Sequence, residues 1–262
     1  MRSKQFLVST LHLVASLAVL TGLWYALIEA FHLNSFFAKT PLAVWRYLFV
    51  QNGAHSNRDV LWGALGITMR DAGIGFLAGT VAGCLVAVAI VVAPVLRPSL
   101  MPIVLSLRAI PIVAMTPLIV LVFGRGLLGV TVIAGIVSFF PTLVNLSVAM
   151  DSLSTDLIDF FRCYNASKMA LMRKARLPQS LPAVFASARL TGPTAILGAL
   201  IAEWLSTGSG LGNLMISAGV QSDYGMVWSS VVVVTSVSFI VYDFWSVVEA
   251  RVLRYYGWTD RS

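Results

Sequence analysis

The sequence predicts an all-α integral membrane protein, with about six transmembrane helices and a long cytoplasmic loop between spans four and five. Three observations point there. Of the 262 residues 58% are hydrophobic and only 11% are charged, and the mean hydropathy is +0.86. A soluble domain carries about 25% charged residues, so an ordinary soluble enzyme, a disordered chain and a polar nucleic-acid binder are excluded. Apolar runs recur at roughly the 20 residues that cross about 30 Å of hydrocarbon. They lack the alternation of a membrane β-barrel, and a backbone in lipid must then satisfy itself as helix.

The first span is read at residues 6–28, behind Met1-Arg2-Ser3-Lys4. A signal peptide also starts basic and turns apolar. This run is 23 residues long, however, and no clean small-x-small site follows it, so an uncleaved helix is expected. Residues 41–50 read as a short amphipathic helix on the outer side, and residues 59–71 as a helical lead-in. Further spans are expected at 72–93, 100–123, 127–150, 183–206 and 225–248. The organisation is thus an N-terminal part at 1–59, a core at 60–250 and a tail at 251–262.

Orientation follows from Lys and Arg. With the N-terminus inside, the inner segments hold eleven: Arg2, Lys4, Arg97, Arg162, Lys168, Arg173, Lys174, Arg176, Arg251, Arg254 and Arg261. The outer segments hold four, Lys39, Arg46, Arg58 and Arg125. Basic residues collect in cytoplasmic loops, so both termini are expected in the cytoplasm and the net charge of +7 needs no nucleic acid.

Within the spans, Gly73, Gly75, Gly79 and Gly83 recur at helical spacing, which permits close helix approach. Pro102, Pro111 and Pro117 crowd the third span. Each removes a helical hydrogen bond. Such a helix bends, and it survives at depth where protein or a water-filled cavity covers the freed carbonyls. A pathway-lining helix and a merely kinked packing helix both satisfy this.

Residues 151–182 are long for a connection and are patterned. Leu157, Phe160, Phe161 and Tyr164 recur at i, i+3, i+4, i+7, one face of an amphipathic helix. The pattern breaks at Asn165-Ala166-Ser167, resumes with Met169, Leu171 and Met172, and is expected to end at Leu177-Pro178. Two short helices with an apolar face suit a partner's docking surface; a helix lying on the membrane would show the same face.

At this loop the sequence resembles the permease subunits of binding-protein-dependent ABC importers. Their motif is Glu-Ala-Ala, three residues, Gly, nine residues, Ile, one residue, Leu-Pro. Placing its Leu-Pro on Leu177-Pro178 puts the Ile on Ala175, the Gly on Asn165 and the Glu on Asp159. The two alanines fall on Phe160 and Phe161, the larger departure. Asn for Gly is mild, since both tolerate a left-handed turn. Other segments are similar to the nitrate/taurine/alkanesulfonate branch, which includes uptake systems for thiamine precursors and riboflavin. They are Leu107-Arg108-Ala109-Ile110-Pro111, Thr116-Pro117-Leu118, Phe123-Gly124, Phe139-Phe140-Pro141 and Ala202-Glu203-Trp204…Gly210-Leu211-Gly212.

The resemblance implies a transport subunit in the cell (inner) membrane. A cytoplasmic ABC ATPase would dock on the coupling-helix loop through Asp159, Phe160, Phe161, Asn165, Ala166, Ala175, Leu177 and Pro178. A substrate-binding protein would dock outside, and a second permease copy, as a homodimer within membrane lipid, would complete the path. ATP hydrolysis belongs to the partner: the sequence has no GxxxxGK[ST]. The run Gly208-Ser209-Gly210-Leu211-Gly212 follows no strand and is read as a compact outer turn.

Arg108, Pro111, Pro117 and Glu203 are the candidates for pathway or gate. An intramembrane charge costs about 2.5–3.5 kcal/mol on insertion scales and faces protein or water. Arg108 either pairs with proline-freed carbonyls or attracts an anionic solute, a sulfonate or nitrate. Glu203, near the outer end of the fifth span, is an interfacial carboxylate or a contact between helices. His12, His32 and His55 are scattered, Cys84 and Cys163 have no metal spacing, and no catalytic set is visible; no metal, cofactor or disulfide is expected. An integral-membrane enzyme would need clustered polar groups. An ATPase-independent channel or carrier would not need the docking loop.

Overall fold

A computed structural model describes the backbone at residues 2–206 and 208–256, and the side chains of these except at 2–14, 17 and 206. His12 and the final six residues of the expected tail, Arg261 among them, lie outside the described side chains. The regular structure of the described residues is all helical, without a strand. In order the helices are α1 (Arg2–Ala30), α2 (Pro41–Phe49), α3 (Ala54–Val92), α4 (Arg97–Ala109), α5 (Ile112–Phe123), α6 (Leu127–Asp151), α7 (Thr155–Cys163), α8 (Lys168–Leu171), α9 (Leu177–Ser206), α10 (Gly210–Val220) and α11 (Tyr224–Tyr255).

Four stretches are long and apolar enough to cross a membrane: Ala54–Val92, Leu127–Asp151, Lys168–Leu205 and Tyr224–Tyr255. A fifth is available if the bent pair α4–α5 counts as one span. The first expected span is helical in α1, of which Ala18–Ala30 is the described apolar part.

Three boundaries differ from the sequence reading. The lead-in at 59–71 and the second span are one uninterrupted helix of 39 residues, about 58 Å long at 1.5 Å per residue. The third span is broken: α4 and α5 meet at 105°. Ile110 and Pro111, with ψ of 125° each, carry the extended backbone between them, the conformation a proline imposes on the residue before it. The second short helix of the loop does not end at Leu177-Pro178. It passes through a π turn at Met172–Arg176 directly into α9. A proline ring clashes with the carbonyl four residues back, here Lys174, and the wider turn accommodates it. The turn expected at 208–212 is instead a bend followed by α10.

The chain forms two compact units. The first comprises residues 1–63 and 214–233. Trp24 stacks on Trp228 with centroids 5.2 Å apart, and the Trp228 indole donates to the Phe37 carbonyl at 2.8 Å. The Tyr47 hydroxyl donates to Asp223 at 2.6 Å, and the Tyr47 ring fills the place a Cβ on Gly225 would take. Burial, and then the Asp223 carboxylate, push the Tyr47 phenol well above its ordinary range. Asp223 also accepts from the Met226 N–H at 3.1 Å, capping the start of α11.

The second unit comprises residues 64–213 and 234–262. Its core runs along α6. Ile133, Ala134, Leu143 and Met150 are fully buried there, and Ile196 and Ala199 of α9 pack beside it. A Cβ on Gly75 would come within 2.5 Å of Ala134 Cβ, one on Gly79 would overlap the Gly135 carbonyl, and one on Gly83 would lie 2.9 Å from the Phe139 carbonyl. Small residues thus let α3 reach the backbone of α6, the close approach that packs helices in lipid. Gly73, of the same repeat, faces open space. Asn145 of α6 donates to Ser187 of α9 at 3.0 Å, and Arg189 of α9 pairs with Glu249 of α11 at 3.0 Å.

Candidate functional site

The loop builds its helix–turn–helix from local signals. Ser154 accepts from the Leu157 N–H at 3.4 Å and starts α7, with Asp156 in the first turn and Arg162 in the last, charges that complement the helix dipole. The helix ends in a Schellman arrangement. The Ala166 N–H donates to the Phe161 carbonyl at 3.0 Å and the Asn165 N–H to the Arg162 carbonyl at 2.8 Å. Asn165 stands between them at φ +49°, the left-handed region this motif requires. Ser167 then accepts from the Ala170 N–H at 3.1 Å and starts α8.

This geometry divides the apolar face. The Phe160 and Tyr164 rings meet tilted at 47°, with centroids 4.9 Å apart; the two are 55% and 74% exposed. Ile158 and Phe161 turn inward and are half-buried. Asp159 is exposed and pairs with Arg162 at 2.9 Å. Asn165 is exposed, Ala166 half-buried, and Leu177 and Pro178 exposed and half-buried in the first turn of α9. Ala175 is buried, at 7% exposure. Asp159, the aromatic pair, Asn165 and Leu177 are therefore the exposed groups, and Ala175 is buried. Under the loop, Asp151 pairs with Arg97, and Arg176 approaches the same carboxylate at 3.9 Å. The sequence reading missed this triad, which joins residues 54 positions apart.

At the helix break, Arg108 lies in the last turn of α4 and is exposed. It lines a cleft of about 320 Å³ with Pro111, Ile136, Phe140 and Pro141. Among the described residues no carboxylate pairs with it. Pro117 is an exposed residue inside α5; beside it Thr116 is buried and returns its hydroxyl to the Ile112 carbonyl at 2.9 Å.

Glu203 occupies a different setting, near the end of α9 and 1% exposed. Its Oε2 accepts from the Thr68 hydroxyl of α3 at 2.9 Å and from the Gly212 N–H of α10 at 2.8 Å. Thr68 in turn accepts from the Leu211 N–H at 2.8 Å. Oε1 is buried without a partner. Gly210, at φ +89°, lies so close that a Cβ there would collide with this carboxylate, and a Cβ on Gly212 would collide with the Leu200 carbonyl and the Glu203 Cβ. One carboxylate thus holds three helices together. Thr68 was missed because a lone threonine in an apolar run carries no signal of a partner 135 residues away. Among the described residues no group of His, Cys, Asp or Glu could hold a metal ion.

Residues 62–254 match the model of the family described as binding-protein-dependent transport system inner membrane component. The chain belongs to this family. The family consists of transport permeases rather than enzymes, in the inner membrane and multi-pass. The chain is 26% identical to a probable ABC transporter permease protein of Haemophilus influenzae, over 86% of this chain and 89% of that one. It is 26% identical to the putative aliphatic sulfonates transport permease SsuC of Bacillus subtilis, over 74% and 71%. With the riboflavin transport system permease RibX of Chloroflexus aurantiacus it shares 30% identity over 56% and 55%. Among solved structures, a chain of the MetNI methionine ABC transporter in inward-facing conformations superposes with a TM-score of 0.60. That likeness covers 74% of this chain and 95% of that one at 22% identity, and it concerns the fold.

Proposed function

We propose that this permease carries a small organic or inorganic anion, of the sulfonate or nitrate kind, inward through a homodimeric path by alternating access. The observation that carries the anion reading is Arg108: a guanidinium without a carboxylate partner, exposed in a cleft where the span is broken. A fixed positive charge at the edge of a low-dielectric wall attracts anions over neutral solutes. The aliphatic-sulfonate permease among the relatives supports the same reading.

The energy comes from a separate ABC ATPase that docks on α7 and the turn after it. Phe160, Tyr164 and Asp159 offer the contact, Asn165 sets its shape, and Phe161, Ala166, Ala175, Leu177 and Pro178 hold it from behind. A substrate-binding protein delivers solute on the outer side, near the α9–α10 turn that Glu203 fastens. Glu203 acts there as a gate residue, Pro111 gives the broken span its bend, and Pro117 lies on the pathway within α5. In this scheme residues 1–59 are an accessory N-terminal part, 60–250 the permease core and 251–262 a cytoplasmic tail, and both termini are cytoplasmic.

The relation to the riboflavin permease motivates a second reading, import of riboflavin or a thiamine precursor by the same machinery. Uptake by the transporter reconstituted with its ATPase and binding protein decides. Alkanesulfonate or nitrate uptake that falls at least tenfold in Arg108→Gln, with assembly and ATPase binding intact, is expected. Uptake of riboflavin, or sulfonate uptake indifferent to Arg108, would overturn the anion reading.

A further inference from the structure

A cavity of about 460 Å³ lies behind the docking helix, between α7, α8 and the end of α3. Its walls are of two kinds. Val91 and Val92, the last residues of a helix long and apolar enough to cross the membrane, and Phe161 give one apolar side. Arg162, Lys168 and Arg176 give the other, and no carboxylate lines the cavity. The three cations are not equally committed. Arg162 shares its charge with Asp159, at 2.9 Å. Arg176 approaches Asp151 only at 3.9 Å, on the far side of that carboxylate's pairing with Arg97, and its Nε–H is buried without an acceptor. Lys168 is exposed and, among the described residues, has no ion-pair partner.

We infer that this cavity binds one anionic phospholipid, its phosphate on Lys168 and Arg176 and an acyl chain against the end of α3. The chemistry selects this occupant twice over. Basic pockets between membrane helices attract anionic headgroups, and an apolar wall continuous with the end of a span meets the acyl region. A free anion would use only the first feature and a neutral lipid only the second. The bound lipid braces α7 through Phe161 and so sets the position of the docking surface, whichever solute the permease carries.

The full-length chain, purified in detergent and titrated with phosphatidylglycerol or phosphatidylcholine, gives the test by native mass spectrometry. Phosphatidylglycerol should be retained in preference to phosphatidylcholine, and excess inorganic phosphate should not displace it. Lys168→Gln and Arg176→Gln should each weaken retention about fivefold, the effect of one basic residue near an anionic surface. Lys174→Gln, an exposed cation of the same segment that does not line the cavity, should leave retention unchanged. Lys168 is exposed, so its variant folds and keeps the test decisive even if Arg176→Gln does not. Equal retention of the two lipids, displacement by phosphate, or equal loss in Lys168→Gln and Lys174→Gln would overturn the site.

Discussion

Asn165 and Glu203 show how much a single side chain can decide. Asn165 holds φ +49° between the two hydrogen bonds that close α7. Placing an L-residue there costs roughly 1–2 kcal/mol, with Gly and Asn the usual exceptions. Asn165→Gly should therefore retain the cognate ATPase in a pull-down, and Asn165→Val, β-branched, should lose most of it while the chain still inserts. The reverse order would mean that the helix runs on through this point. Glu203 makes a different prediction. Glu203→Leu strands the Gly212 N–H, a buried orphan that costs about 1–3 kcal/mol, and leaves the Thr68 hydroxyl only the longer bond to the Ala64 carbonyl at 3.3 Å. The thermal midpoint should fall clearly in Glu203→Leu and little in Glu203→Gln, which keeps an acceptor oxygen. If the clasp is also a gate, Glu203→Gln assembles normally yet transports or couples ATP hydrolysis differently; normal transport would reduce Glu203 to a fastening. The two residues were not equally legible. A turn at Asn165 is local, written in an amphipathic run that stops at a left-handed-tolerant residue beside two serine caps. The burial of Glu203 depends on Thr68 of α3 and on Gly210 and Gly212 of α10 arriving from two other helices, and spacing alone left it between an interfacial and an inter-helix role.

Elements repeat this division. The π turn at Met172–Arg176 and the break at Ile110-Pro111 both lie next to prolines the sequence displays. What the sequence withholds is how the strain is relieved: one proline is absorbed by widening the helix, the other by leaving the helix at 105°. The glycine repeat of α3 behaves alike. Its period marks a close-packing face, yet only the partner backbone reveals which glycines are used. Gly79→Ala would drive its Cβ into the Gly135 carbonyl, whereas a Cβ on Gly73 meets nothing within 4 Å. Overpacking costs about 1–3 kcal/mol, and alanine gains about 1 kcal/mol over glycine in a helix. Thermal unfolding of the detergent-solubilised chain should thus show Gly79→Ala destabilised and Gly73→Ala unchanged or stabilised. Equal effects would refute the α3–α6 contact.

At the scale of the whole molecule, everything turns on whether α4–α5 crosses the membrane or returns to the side it came from. α4 has 13 residues and α5 has 12, about 20 and 18 Å, so neither crosses alone. If the pair crosses, residues 29–58 and the loop 151–182 lie on opposite sides. If it is re-entrant, they lie on the same side. The charge count does not separate these cases. Crossing, with the N-terminus inside, gives eleven basic residues inside and four outside; re-entry, with the N-terminus outside, groups Lys39, Arg46 and Arg58 with the loop and tail and again gives eleven and four. Both put the loop in the cytoplasm, but the N-terminus, residues 29–58 and Arg97 change sides between them, and the pairing of Arg97 with Asp151 at the base of the loop favours crossing. Composition therefore makes the membrane class legible, while the parity of the crossings depends on a local break that no count registers. The six-span reading predicts opposite sides. Cys163 is an exposed native thiol in α7, and Ser56 is exposed at the start of α3. In cells carrying Cys84→Ser, a membrane-impermeant maleimide should leave Cys163 unlabelled until the membrane is opened. In the chain with both native cysteines replaced, Ser56→Cys should label in intact cells. If Ser56→Cys and Cys163 are both protected until the membrane is opened, α4–α5 is a re-entrant pair, the N-terminus is outside, and a binding protein cannot meet the chain at residues 29–58.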